Sequence, residues 1–440
     1  MLVRVFLLSL IIIGSVGVNV HESAARGEEA GTLNLTVIYE RHFDVPVLDV
    51  ILDTETVTLE EAMQMGWKEE AFTEDELEKG KVPVFYPRVI LISRGRELSW
   101  LPDARRNSYY AKEIRFYDKN GKIKKRLFLK EYGEEKIFYS PGRKYVLVSR
   151  RPTEWAPEYS GGVLYDLNGK AVWEIKGPTP IAVSDEGYSA ACYLDWQVPP
   201  APGGDFYVYN PKGKLIATVE NPLKEETTPL FAEFSRDGNF AILVFSGEED
   251  RPTLLELIGK KGKIKWKYEF SEYRFSGTGG EAHLVPPVGV IGTIYKGTGS
   301  SNLFFLSWDG KLEWINPLNS STYMGCRFSH DGGKVYTWTL SGGMRCFDIK
   351  TGDVLWKYEG TCRWTELYEH KNHLVLKGHP DKVFLFDGQT GKLESKIEFP
   401  GENIFLTVQG GRIFVIKVED KSILGFKIER VEAKESTIGN

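Results

Sequence analysis

The 440-residue chain reads as an all-β, eight-bladed β-propeller, with seven blades as the alternative, and three observations lead there. A glycine turn recurs: Asn120-Gly121, Asn168-Gly169, Lys212-Gly213, Lys261-Gly262, Asp309-Gly310, Thr351-Gly352 and Thr390-Gly391 stand 48, 44, 49, 48, 42 and 39 residues apart. Strands repeating every 40–50 residues or so mark a propeller, not a single hydrophobic core. A tryptophan stands four positions after the turn glycine in four of the seven units, as Trp173, Trp266, Trp314 and Trp356. An indole at fixed phase on an outer strand predicts a structural peg that docks one blade on the next. Finally, three strands over 404–408, 412–418 and 423–431 lack a fourth, while a strand over 33–39 lacks a unit of its own. Joining them completes an eighth blade and closes the ring without a long unpaired edge.

Each unit justifies itself locally. In the clearest, strands are expected over 323–329, 334–340, 344–349 and 353–358, separated by Asp331-Gly332-Gly333, Ser341-Gly342-Gly343 and Lys350-Thr351-Gly352. Short runs of period two between such turns are a β-meander signal. The first turn recurs as Ser140-Pro141-Gly142, Ser184-Asp185-Glu186-Gly187 and Ser235-Arg236-Asp237-Gly238. Ser and Asp there can bond the backbone while glycine takes positive φ. Blade one is interrupted over 54–85 by a helical insertion. Thr58 with Glu61, and Thr73 with Glu76, have capping-box spacing. The propeller should span 32–431, with 432–440 as a tail.

The N-terminus gives a cellular address. Arg4 precedes an almost wholly apolar stretch from Val5 to Val18, and Ser15-Val16-Gly17 and Ser23-Ala24-Ala25 offer cleavage contexts. Residues 1–25 therefore read as a signal peptide, with an uncleaved anchor as the alternative. The expected location is extracytoplasmic: secreted, periplasmic or on the cell surface. Membrane contact is expected only through that segment, and no cysteine precedes Cys192 to carry a lipid. Net charge is -5 and no long basic run occurs, which argues against nucleic acid as a partner. Four cysteines, Cys192, Cys326, Cys346 and Cys362, are too few for a disulfide framework, and the sequence does not select a pair.

The segment from Phe347-Asp348 through Thr351-Gly352 to Trp356 resembles the repeat of the quinoprotein-like (PQQ-like) propellers, whose Asp, Thr-Gly and Trp dock neighbouring blades. The Ser-x-Asp-Gly turns resemble those of WD-related exported propellers. The resemblance spans about 110–400, although Ser395 replaces the tryptophan after Gly391. It implies a fold and not an activity, because this fold hosts many functions. The family's quinone-dependent dehydrogenases use a vicinal disulfide and calcium-binding carboxylates, and neither is evident here. The propeller subunits of the outer-membrane β-barrel assembly machinery are similar in fold and address, but they are lipoproteins.

Function is expected on one rim. In a four-stranded blade, links from the second to the third strand share a rim with links between blades. Three of the former are long: 94–112, 150–162 and 195–205. They hold Trp100, Arg105, Arg106, Tyr109, Tyr110, Arg150, Arg151, Trp155, Tyr159 and Trp196, with Pro152, Pro157, Pro199 and Pro200. Aromatic and arginine enrichment on pre-ordered loops suits recognition of a protein or glycan. The alternative is that these loops merely pack as lids. His370, His373 and His379 fall at opposite ends of strands and should not converge on a metal. Gly277-Thr278-Gly279-Gly280 lacks the strand-to-helix context of a phosphate loop. No nucleophile elbow or paired-carboxylate motif appears. The expectation is a monomeric or assembly-bound scaffold without cofactor, metal or catalytic residues; the alternative is a quinoprotein-like or lyase/hydrolase enzyme using the central funnel.

Overall fold

A computed structural model describes residues 33–430, apart from 45, 94–110, 130–133, 152–159, 194–203, 225–226, 248–251, 276–281, 297–299, 319–322, 340–342, 361–363, 371, 379–380, 401–403, 410–411 and 419. Its strands form eight antiparallel four-stranded sheets, seven of them in simple sequence order. Blades 1 to 7 cover 47–128, 134–176, 179–219, 228–270, 282–317, 323–359 and 364–398. Blade 8 takes three strands, Ile404–Gln409, Arg412–Lys417 and Ser422–Arg430, and borrows Leu33–His42 as its outermost. That strand pairs antiparallel with Ser422–Arg430 from Leu33↔Arg430 to His42↔Ser422, slipping by a bulge between Val37 and Tyr39. Eight blades, not seven, make the ring.

The core lies between blades. The buried apolar residues fall into eight clusters, each shared by two neighbouring sheets. This placement dictates strand composition. A third strand such as Thr253–Gly259 is covered on both faces and buried throughout. Its neighbour Ile264–Phe270 lies at the circumference and is largely exposed or half-buried. Central strands therefore read as continuous apolar runs and outer ones as mixed.

Turn chemistry fixes the glycines. Asp118 Oδ1 accepts the amides of Asn120 (3.0 Å) and Lys122 (2.9 Å), which folds the chain so that Gly121 must take φ 75°. Only glycine adopts this without steric cost. The indoles lie on these turns. Trp266 Nε1 donates to Trp308 O at 3.0 Å and Trp314 Nε1 to Ile349 O at 2.8 Å. Trp356 Nε1 reaches Gly388 O at 3.3 Å, and Trp173 packs against Gly213. Each tryptophan thus sits under the third-to-fourth-strand turn of the following blade.

The insertion in blade 1 is narrower than 54–85, because its flanking strands run on as Val47–Val57 and Val82–Ser93, paired out to Val57↔Val82. Between them lie helices Leu59–Gln64 and Glu74–Glu78, each opened by a complete capping box.

Candidate functional site

Antiparallel order places the second-to-third-strand links on one rim. In blades 1 to 3 they run from Ser93 to Ala111, Arg151 to Gly161 and Cys192 to Phe206. In blades 5 to 7 they shrink to 297–299, 340–342 and 379–381. Trp100, Arg105, Arg106, Tyr109, Tyr110, Trp155, Tyr159 and Trp196 lie outside the described residues. Arg151 closes the strand Tyr145–Arg151 opposite Glu134.

Arg150 is the one member of that set whose side chain is described. Its Nη1 is 3.1 Å from Glu174 Oε1, and its Nε is 3.8 Å from Glu135 Oε1. Its carbonyl accepts the Thr179 hydroxyl of blade 3 at 3.1 Å. Register explains the first contacts, since Glu135 faces Arg150 across the ladder. Arg150 thus sits at the foot of its loop as an anchor between strands.

Two aromatic side chains on this rim were not picked out from sequence. Phe128 is 67% exposed at the end of blade 1, and Tyr193 is 56% exposed just after Ser189–Cys192 in blade 3. They are the two most exposed large hydrophobic side chains among the described residues. The Tyr193 ring meets Tyr207 edge-on, with centroids 5.6 Å apart. The signal lay in their positions, since each occupies a strand end feeding a rim link; residue type alone did not reveal it.

The innermost strands line the central funnel, and their polar side chains reach adjacent blades. Glu233 Oε2 lies 2.9 Å from His283 Nδ1, and its Oε1 accepts the Leu284 amide at 3.1 Å. Arg327 Nη1 donates to Leu367 O at 3.0 Å while its guanidinium lies 5.7 Å from the centre of the Tyr368 ring. Tyr368 donates to Leu406 O at 2.8 Å. Glu233 and Arg327 stand one residue, and Tyr368 two residues, before the end of the first strand of their blades. Arg143 closes the belt in the other direction, donating to Val50 O at 2.7 Å and pairing with Asp49 at 3.3 Å. Burial pushes the nearby Tyr139 phenol well above its usual range, and Asp49 adds to that.

Among the described residues no group of three or more His, Cys, Asp or Glu could hold a metal ion. His373 Nδ1 instead pairs with Glu394 Oε2 at 2.7 Å, and His379 lies outside the described residues. Cys192, Cys326 and Cys346 are buried, and burial pushes the Cys346 thiol up to about 12. No described helix is long and apolar enough to cross a membrane.

A family model described as outer membrane protein assembly factor BamB matches residues 160–361. A lanthanide-dependent methanol dehydrogenase from Methylorubrum extorquens is 32% identical over 111 residues, which is 23% of this chain and 18% of that protein. The chain therefore spans less than a fifth of the length of that curated relative. Among solved structures, BamB from Moraxella catarrhalis superposes with a TM-score of 0.51 at 11% identity, covering 91% of this chain and 99% of that one. The Dos1 propeller gives 0.54 at 12% identity, with coverages of 89% and 95%. The computationally designed Ika8 protein gives 0.52 at 13%, with coverages of 78% and 94%. At these identities the structural likeness is one of fold.

The described residues form a closed eight-bladed propeller with blade-to-blade hydrogen bonds both near the funnel, as from Arg327, and at the circumference, as from Trp314. Over residues 160–361 the chain's repeat is similar to that of the PQQ-like β-propellers.

Proposed function

We propose that the chain is an exported, non-catalytic scaffold that captures a protein partner through the loop rim of blades 1 to 3. The observation that carries this reading is the placement of Phe128 and Tyr193, the most exposed large hydrophobics described, on the rim from which the three long links spring. Exposed aromatics bordering long loops are what interface cores use, and isolated blades have no structural need of them. Trp100, Arg105, Arg106, Tyr109, Tyr110, Trp155, Tyr159 and Trp196 would supply the anchors, with Arg150 and Arg151 at the foot of one loop.

Two further points favour binding over catalysis. Among the described residues Glu233, Arg327 and Tyr368 on inner strands, and Arg143 on an inner turn, are engaged in blade-to-blade bonds. Likeness to the methanol dehydrogenase is confined to 111 residues. Export is supported by the apolar segment after Arg4 and by likeness to a family whose name places it in outer-membrane protein assembly.

The test replaces Trp100, Arg106, Trp155 and Trp196 together by alanine and compares proteins captured from envelope extract. Loss of a partner with an unchanged melting transition supports the rim. A partner list identical to that of the parent protein rejects it. Capture that survives protease treatment of the extract but not glycosidase would replace the protein partner by a glycan.

A further inference from the structure

Six exposed lysines gather on the opposite rim, at the outer turns of two neighbouring blades. Lys212 and Lys214 flank Gly213 in blade 3; Lys260, Lys261, Lys263 and Lys265 surround Gly262 in blade 4. The turn of blade 4 rests on blade 3. A Cβ at Gly262 would collide with Ala217 Cβ on the outer strand of blade 3, and Lys260 Nζ lies 5.0 Å from the centre of the Tyr188 ring of the same blade.

None of the six lysines makes an ion pair among the described residues. On blade 1, by contrast, Lys119 meets Glu55 at 3.0 Å and Arg126 meets Glu113 at 3.6 Å. The acid that shapes equivalent turns elsewhere, as Asp118, Asp166, Asp348 and Asp387, is missing here. Asn210 replaces it with the same geometry and no charge, accepting from the amides of Lys212 (2.9 Å) and Lys214 (3.1 Å). Gly259 replaces it in blade 4. The acids of these two blades on this rim sit on the inner turns. Asp185 holds the Gly142 amide and Arg236, Asp237 caps its own turn, and Glu186 is exposed. A chain of net charge -5 has thus separated positive charge onto one arc of its circumference.

Two aliphatic tips stand among the lysines. Leu215 is 44% exposed and Ile264 36%, each two positions after its turn glycine. We propose that this arc of blades 3 and 4 rests on an anionic phospholipid bilayer. Lysine meets lipid phosphate as a point charge on a flexible stem, so heads can remain at the phosphate level while neighbouring aliphatic tips enter the interface. Nucleic acid fits less well, because neither outer turn carries an arginine fork or an exposed aromatic for stacking. An acidic polypeptide would engage the lysines but would have no use for Leu215 and Ile264. With a bilayer against this arc, the loop rim of blades 1 to 3 faces away from it, free for a partner.

The test measures co-sedimentation of the full chain with phosphatidylcholine vesicles, with and without phosphatidylglycerol. Any binding to the neutral vesicles reports the N-terminal apolar segment, so the readout is the increment produced by anionic lipid. That increment should disappear at about 1 M salt, where the Debye length is about 3 Å. Glutamine at all six lysines should weaken it by about tenfold or more, while K311Q/K350Q/K392Q on blades 5 to 7 should leave it unchanged. L215S/I264S, with every charge retained, should reduce it severalfold. The proposal is overturned by absence of an increment, by equal increments for the parent and the six-lysine variant, or by an L215S/I264S variant that binds vesicles fully. Polyglutamate binding at least as tight as vesicle binding, unaffected by L215S/I264S, would assign the patch to an acidic polypeptide instead. Melting transitions identify any variant that fails to fold, and L215S/I264S leaves the lysines intact as an independent check.

Discussion

Arg412 holds its guanidinium 5.1 Å from the centre of the Trp67 ring, joining the second strand of blade 8 to the insertion in blade 1. Phe85 and Phe72 complete the cage at 5.3 and 5.8 Å, and Arg412 Nη2 donates to Ala71 O at 3.0 Å. Trp67 also stacks on Tyr39 of the closing strand at 4.7 Å, and Lys68 donates its amide to Ile38 O at 3.0 Å. One cation and one indole thereby connect the first blade, the last blade and the strand that closes the ring. A buried arginine is costly alone, but desolvated cation–π contacts are correspondingly strong.

Trp67→Ala should therefore cost about 3–5 kcal/mol, as expected for a fully packed indole. The loss should be local in its first effect. Amide exchange should quicken across Leu33–His42 before it does in blade 4. Exchange that rises uniformly round the ring would separate the insertion from closure.

Turn glycines should rank by what lies above them. Gly310 has φ 83°, and a Cβ there would approach Trp266 Cγ to 2.6 Å. Gly80 has φ 65° but open space around it. Gly80→Ala should cost about 1 kcal/mol from backbone strain alone, and Gly310→Ala about 2 kcal/mol more because the indole must shift. Urea denaturation of the two variants compares them directly; equal losses would mean that the indole yields freely.

The turn aspartates make stability sensitive to acid. The Ser329 hydroxyl and the Gly333 amide hold the Asp331 carboxyl below its ordinary 3.8. At Asp387, hydrogen bonds from Thr390 and Gln389 outweigh burial and give the same direction. A carboxyl depressed in the native state binds fewer protons there than in the unfolded chain. Its stabilisation is complete above 3.8 and is lost as pH falls through the lower native value. Melting temperature should thus drop on acidification below about pH 4, less steeply in Asp331→Asn than in the parent. A parallel decline in both would remove Asp331 from the acid response.

Arg150→Met should separate anchoring from recognition. Removing the cation from between Glu135 and Glu174 should cost about 1–3 kcal/mol. Partner capture by the folded fraction should persist, because the guanidinium is engaged within its own blade. Loss of capture at full stability would instead make Arg150 a contact residue.

Blade boundaries were legible because each depends on local chemistry. Lys334–Thr339 and Val354–Glu359 fall within a residue of where their turns place them. The borrowed strand Leu33–His42 was legible by a different route, since three orphan strands need a fourth. Long-range relations were not. Nothing local to Arg412 announces Trp67, and the alternation of Asp53 and Glu55 beside Val57 reads as loop composition until Val82–Ser93 is found to pair with it. Phe128 escaped notice because an aromatic at a strand end looks the same in sequence whether covered or exposed. Arg150 was singled out by residue type, and only the ladder showed that Glu135 faces it.

A photo-crosslinking amino acid placed at Phe128, at Tyr193 and, on the turn rim of blade 7, at Gln389 gives the most direct test of the scaffold reading. The account predicts one shared protein adduct from Phe128 and Tyr193 in envelope extract, and none from Gln389. The same adduct at all three positions, or an adduct at Gln389 alone, would contradict it.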